Sequence, residues 1–181
     1  MKRFVLLIFI ALLLSSCQKT QTQTQSESIP IMGYDKVTWG TSIQDVRRAY
    51  GISDTVATYP FPGYPDMVGL AQEEISDSIE TRYFIFIGNK LCEVNVVYRR
   101  STITEQELLT ALKVKYGEST GYEEEDWGNL SIKNTIFGRY SPELIVYLSR
   151  RSDLRTDEEW FMVDYIVQKF IDEYEASKVE L

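Results

Sequence analysis

The stretch from Tyr83 to Tyr98 constrains this 181-residue chain more than any other. Tyr83 to Ile87 is apolar throughout, and Gly88-Asn89 supplies two residues tolerant of positive φ. Leu91 to Tyr98 then alternates, with Cys92, Val94, Val96 and Tyr98 on one side and Glu93, Asn95 and Arg99 on the other. Residues that accept positive φ allow the two-residue turns whose twist matches the strands they join, so the segment predicts a tight antiparallel hairpin. Alternation with period two dictates a sheet with one buried face, because successive side chains point to opposite sides. A buried face needs a cover, and helical segments are the candidates for it.

Two short helices are marked by their ends. Thr41-Ser42-Ile43-Gln44 has the form of a capping box; Ile43, Val46 and Tyr50 follow on one face, and Gly51 takes the left-handed C-terminal position. Thr104 with Glu107 makes a second box, Ile103 and Leu108 hold the staple positions, and Gly117 follows Tyr116. Tyr50-Gly51-Ile52-Ser53 matches Tyr116-Gly117-Glu118-Ser119, and each helix precedes strand-like segments that end at Tyr98 and Tyr165. Residues 130–137, 144–148 and 161–167 read as strands, and Gln168 to Ser177, with Phe170, Ile171 and Tyr174 at helical spacing, as a closing helix. The expected class is α+β: an antiparallel sheet covered by helices, built as a tandem helix-then-strands repeat over about 33–98 and 100–167, with a C-terminal helix.

The N-terminus carries an address. Met1-Lys2-Arg3 is basic, and the apolar run from Phe4 to Leu14 is too short for a bilayer of about 30 Å, which takes roughly 20 helical residues. It has the length of a signal-peptide core. Leu14-Ser15-Ser16-Cys17 resembles the lipobox of bacterial lipoproteins, in which the cysteine receives the lipid and the preceding segment is removed. The resemblance implies a signal peptide over 1–16, acylation of Cys17 and a membrane partner held through that lipid. Residues 17–30, rich in Gln, Thr and Ser, are expected to form a flexible tether, and 31–181 a single domain. Gln18, where inner-membrane lipoproteins of enteric bacteria have Asp, implies the outer membrane by the same analogy.

Composition then removes whole classes of chemistry. With no histidine there is no Ser-His-Asp or Cys-His nucleophile and no imidazole ligand. Two cysteines cannot build a four-thiolate metal site, and with Cys17 acylated Cys92 is the only remaining thiol, expected to be buried and inert. Lys+Arg 19 against Asp+Glu 27 gives -8; removing Lys2 and Arg3 leaves 17 against 27, or -10, which counts against nucleic acid as a partner. No catalytic residue, metal ligand or cofactor is expected.

Three stretches are candidates for contact. Tyr59-Pro60-Phe61-Pro62-Gly63-Tyr64-Pro65 reads as a stiff loop presenting Tyr59, Phe61 and Tyr64, either for protein recognition or, the slightly favoured reading, as a lid on the domain's own sheet. Arg99-Arg100 and Arg150-Arg151 close strands; they either gather into a basic patch for an acidic partner, lipid head group or glycan, or pair with nearby acids. In Tyr122-Glu123-Glu124-Glu125-Asp126-Trp127 a solvated turn is favoured over a site for a hard cation, because consecutive acids on an extended chain point to alternate faces. Nothing in the sequence selects a pair of carboxylates for acid/base work.

Trp39-Gly40-Thr41-Ser42-Ile43-Gln44-Asp45-Val46, with Tyr50-Gly51, resembles the opening motif of BamE-like lipoproteins of the outer-membrane barrel-assembly machine. The helix-then-sheet arrangement is similar to that of β-lactamase-inhibitor-protein-like domains. About a dozen residues carry the resemblance, and Ile52-Ser53-Asp54 stand where the family usually has a proline. The expected function is that of a lipid-anchored, non-enzymatic envelope protein that binds another protein in envelope assembly or maintenance. The alternative is a binding module for a small ligand or cation.

Overall fold

A computed structural model describes residues 33–62, 64–73, 75–141 and 144–179. The signal segment 1–16, Cys17 and the tether 17–30 lie outside the described residues. A small hairpin, β1 (Gly33–Tyr34) and β2 (Val37–Thr38), precedes helix α1 (Ile43–Tyr50). Four strands follow: β3 (Tyr59–Phe61), β4 (Tyr64–Glu73), β5 (Ile79–Ile87) and β6 (Lys90–Tyr98). Helix α2 (Glu105–Tyr116) leads to β7 (Ser119–Trp127), β8 (Leu130–Ser141), β9 (Leu144–Asp153) and β10 (Glu158–Val167), and helix α3 (Gln168–Val179) closes the chain. The strands β3 to β10 form one antiparallel sheet in the order β3-β4-β5-β6-β10-β9-β8-β7, so the strands that follow α1 and those that follow α2 meet along β6 and β10.

Local chemistry sets the boundaries. Gly88 and Asn89, at φ 53° and 65°, make the two-residue turn between β5 and β6. Helix α1 is capped by Ser42, whose hydroxyl accepts from Asp45 N at 3.2 Å, one residue later than the expected box. Thr41 cannot take that role because its carbonyl accepts from Leu91 N at 3.0 Å, which keeps its backbone tied to β6. The Thr104 box of α2 is complete: Glu107 N donates to the Thr104 hydroxyl and Thr104 N donates to Glu107 Oε2 at 2.8 Å.

The core lies on one face of the sheet. Leu70, Phe84, Phe86, Val94, Val96, Val146, Leu148 and Val163 meet Val46 and Tyr50 of α1 and Leu108, Leu112 and Tyr116 of α2. Helix α3 sits on the opposite face, where Ile171 and Tyr174 pack against Ile85, Ile87 and Cys92; the expected place of Cys92 beside Val94 and Val96 is corrected, because a register shift between Ile85 and Phe86 turns it to this face.

The expected α+β class, a sheet covered by helices, is corrected. Strand residues outnumber helical ones by more than two to one, one eight-stranded antiparallel sheet dominates, and three helices are found among the described residues. Two of them cover the first face, while α3 covers only the β5–β6 end of the second. Two strands account for much of the difference. β4 runs through Pro65 and Gly69, which break the alternation in the sequence. The acidic run, read as a turn, forms the edge strand β7, where charged residues are well tolerated because solvent lies beside them and they block pairing with other chains.

Candidate functional site

The second face of the sheet, beyond the reach of α3, is open. Antiparallel register places Tyr83 (β5), Asn95 (β6) and Asp164 (β10) side by side on this face, with Ser149 (β9) and Asn134 (β8) paired to one another nearby. At the near edge Tyr59 lies across from Gly69, whose missing side chain makes room for the ring: a Cβ there would collide with Tyr59 Cζ. Tyr59 stands edge-on to Tyr83 at 6.3 Å and tilted on Phe61 at 5.5 Å. These rings, with Met162 and Trp160 across the sheet, line an open depression of about 920 Å³.

Its floor is a polar network embedded in an otherwise apolar sheet. The Asn95 amide donates to Glu93 Oε1 at 2.6 Å and to Asp164 Oδ1 at 2.8 Å, so one side chain bridges two carboxylates. Ser149 Oγ lies 2.7 Å from both Asp164 Oδ2 and Asn134 Oδ1. A hydroxyl has one proton, so the second of these contacts requires a donor on the other side, supplied by an Asn134 amide turned about its axis or by a protonated Asp164. Arg151 approaches Asp164 Oδ2 at 3.5 Å.

Burial pushes the Glu93 carboxyl up to about 7; the Asn95 hydrogen bond opposes the rise, the Asp164 charge adds to it and Arg151 counters it. Burial also raises Asp164, against the pull of Arg151, Ser149 and Asn95. Two carboxylates with one cation between them cannot both ionise cheaply in such a setting.

The expected contact residues separate. Tyr59 and Phe61 line the depression, and Tyr64, at the start of β4, is exposed, with Lys178 Nζ 5.1 Å from its ring. Arg99, Arg100 and Arg151 line the depression, whereas Arg150 points to the other face, as neighbours on a strand must. There it donates to Glu159 at 2.6 Å and reaches Glu105 at 3.6 Å. The hydrogen bond from Arg150 holds the Glu159 carboxyl below its usual range, and Arg100 also reaches Glu159, at 2.8 Å. In the acidic run, Glu124 pairs with Lys133 at 2.8 Å while Glu125 accepts from Trp127 Nε1 at 2.9 Å, so neighbouring acids are spent on separate partners.

Glu93, Asn95, Ser149, Asp164, Tyr83 and Trp160 were not singled out from the sequence. One signal was present: Glu93, Asn95 and Asp164 interrupt apolar strands at positions that face away from the core. Their meeting depends on the pairing of β6 with β10, across 69 residues.

No curated protein and no solved structure matches the chain. Residues 1–18 match the prokaryotic membrane lipoprotein lipid attachment site, which includes Cys17 and makes the protein a lipid-anchored component of the bacterial envelope.

Proposed function

We propose that this lipid-anchored protein is non-enzymatic and binds another envelope protein through the open face of its sheet, in envelope assembly or maintenance. The observation that carries the reading is the aromatic lining of that face, with Tyr59, Phe61, Tyr83 and Trp160 around one depression. Aromatic residues bury large areas for little loss of side-chain freedom, and with arginine they dominate the energetics of protein interfaces. Arg99, Arg100 and Arg151 stand among them. Glu93 and Asp164 are joined through the Asn95 amide rather than set apart across a gap that a substrate bond could enter, which favours binding over acid/base catalysis. The resemblance of the segment around α1 to BamE-like lipoproteins, and Gln18 after the lipidated cysteine, support a place at the outer membrane.

Photo-crosslinking in intact cells tests the reading. A photoreactive residue at Tyr83, on the open face, is expected to give a discrete adduct with a second protein. The same residue at Val114, 84% exposed on α2, is expected to give none. Equal adducts from both positions, or no adduct from Tyr83, would overturn the proposal.

A further inference from the structure

Charges of both signs line the depression on the open face, but they are not equivalent. Of its carboxylates, Glu159 turns to the other face, where Arg150 and Arg100 hold it, and Glu80, Asp157 and Glu158 are exposed at the rim. Water hydrates and screens charges placed there. Two of the arginines lie deeper. Arg99, just past β6, is half-buried, and its side chain forms no hydrogen bond or ion pair with a described residue. The Arg151 side chain is 28% exposed, and its one ion pair among the described residues is the long contact, 3.5 Å, with Asp164 Oδ2. Asp164 is already bonded to Ser149 at 2.7 Å and Asn95 at 2.8 Å, and Arg151 Nε has no hydrogen-bond partner. Both guanidiniums therefore carry donors that their own domain does not satisfy.

Antiparallel register sets these two arginines in one row. Trp160 pairs with Arg151 of β9, and the pairing of Phe161 with Tyr98 puts Arg99 on the other side of Trp160. At the usual spacing of strands the two arginines start roughly 10 Å apart, with Trp160 between them. Resting on the reading of this face as a protein-binding surface, we infer that it receives an acidic segment of the partner protein, in which two carboxylates pair with Arg99 and Arg151 and an apolar side chain between them lies on Trp160. Charge complementarity selects this occupant. A carboxylate gives each guanidinium the acceptors that the domain withholds, whereas a lysine or arginine of the partner would meet two half-buried cations.

The test uses the full acylated protein in nonionic detergent micelles with two capped peptides, acetyl-Glu-Ala-Leu-Ala-Glu-amide and its counterpart with lysine for both glutamates, followed by ligand-observed saturation-transfer NMR. In an extended peptide the two charged side chains and the leucine share one side. Saturable binding of the glutamate peptide, weakened by added salt, and none of the lysine peptide is expected. Arg99→Gln is expected to weaken glutamate-peptide binding about tenfold or more and, since the side chain has no partner in the domain, to leave thermal unfolding unchanged. Glu80→Gln, at the rim, is expected not to weaken it. Preference for the lysine peptide, or equal binding of the glutamate peptide by the wild type and Arg99→Gln, would overturn the inference. The Tyr83 crosslink separates this from the wider proposal. If it persists undiminished in Arg99→Gln, protein binding stands and the acidic anchor falls; if the glutamate peptide binds as expected but Tyr83 captures no protein, the wider proposal falls instead.

Discussion

Replacing Glu93 with glutamine is expected to stabilise the protein, and only above the pH at which an unfolded glutamate ionises. Burial pushes the folded carboxyl up to about 7, from an ordinary value of 4.5. Between those two values the folded state binds more protons than the unfolded one, so stability falls as pH rises through the window, and above the folded value the loss is complete. At about 1.4 kcal/mol per pH unit, a window of about 2.5 units corresponds to about 3 kcal/mol. Glutamine keeps an oxygen for the Asn95 amide and carries no charge to desolvate. The two proteins should therefore be nearly equal at pH 4.5, with the variant ahead by about 3 kcal/mol at pH 8. Urea denaturation followed by circular dichroism at several pH values measures this, and the difference between the two curves cancels groups that titrate alike in both. Asp164 raises the Glu93 carboxyl through its charge, and the repulsion is mutual, so removing the Glu93 charge also eases ionisation of Asp164 and acts in the same direction. Parallel curves, or a variant less stable than the wild type at pH 8, would refute the reasoning.

Three further perturbations test other parts of the molecule. Cys17→Ser should abolish acylation and move the protein from the membrane to the soluble fraction on cell fractionation, because residues 1–18 carry the lipid attachment site. Cys92 is fully buried, its thiol donates to the Ile85 carbonyl at 3.3 Å, and burial pushes its titration up to about 12. A thiol reagent at pH 8 should therefore label it only as fast as the protein unfolds, and rapid labelling of the native state would contradict that burial. Gly69→Ala should drive the Tyr59 ring out of the depression, at a cost of about 1–3 kcal/mol, with a changed near-ultraviolet dichroism and lost Tyr83 crosslinking as the readouts.

What was legible in the sequence was local. The turn at Gly88-Asn89 and the alternation around it identified β5 and β6, and the box at Thr104 identified α2, because a positive φ or an unpaired N–H has few chemical solutions. The C-terminal helix was found at its expected start, Gln168. Edge strands were harder. A residue such as Asp126 has no strand preference of its own, and β7 is a strand because β8 offers it a ladder and Lys133 offers Glu124 a partner. The polar floor was not readable, since it arises only when β10 lies beside β6 and brings Asp164 next to Asn95. Arg150 and Arg151 carry the same lesson: adjacent in sequence, they serve opposite faces of the sheet.

The way the chain treats the arginines behind its first face sharpens the argument about the open face. Arg47, a buried residue of α1, donates to the carbonyls of Ser53 and Val56 and so anchors the loop that leads to β3. Arg82, in the core, lies 5.0 Å from the Tyr50 ring and 5.4 Å from the Tyr34 ring, and its guanidinium also donates to Gln72 Oε1 at 3.3 Å. Arg150 is held by two carboxylates. Each uses a different device, carbonyl dipoles, ring faces or carboxylates, and each is supplied from within the domain. On the open face Arg99, Arg100 and Arg151 instead stand in the lining of a depression shared with Tyr59, Phe61, Tyr83 and Trp160, the residue types that dominate the energetics of protein interfaces.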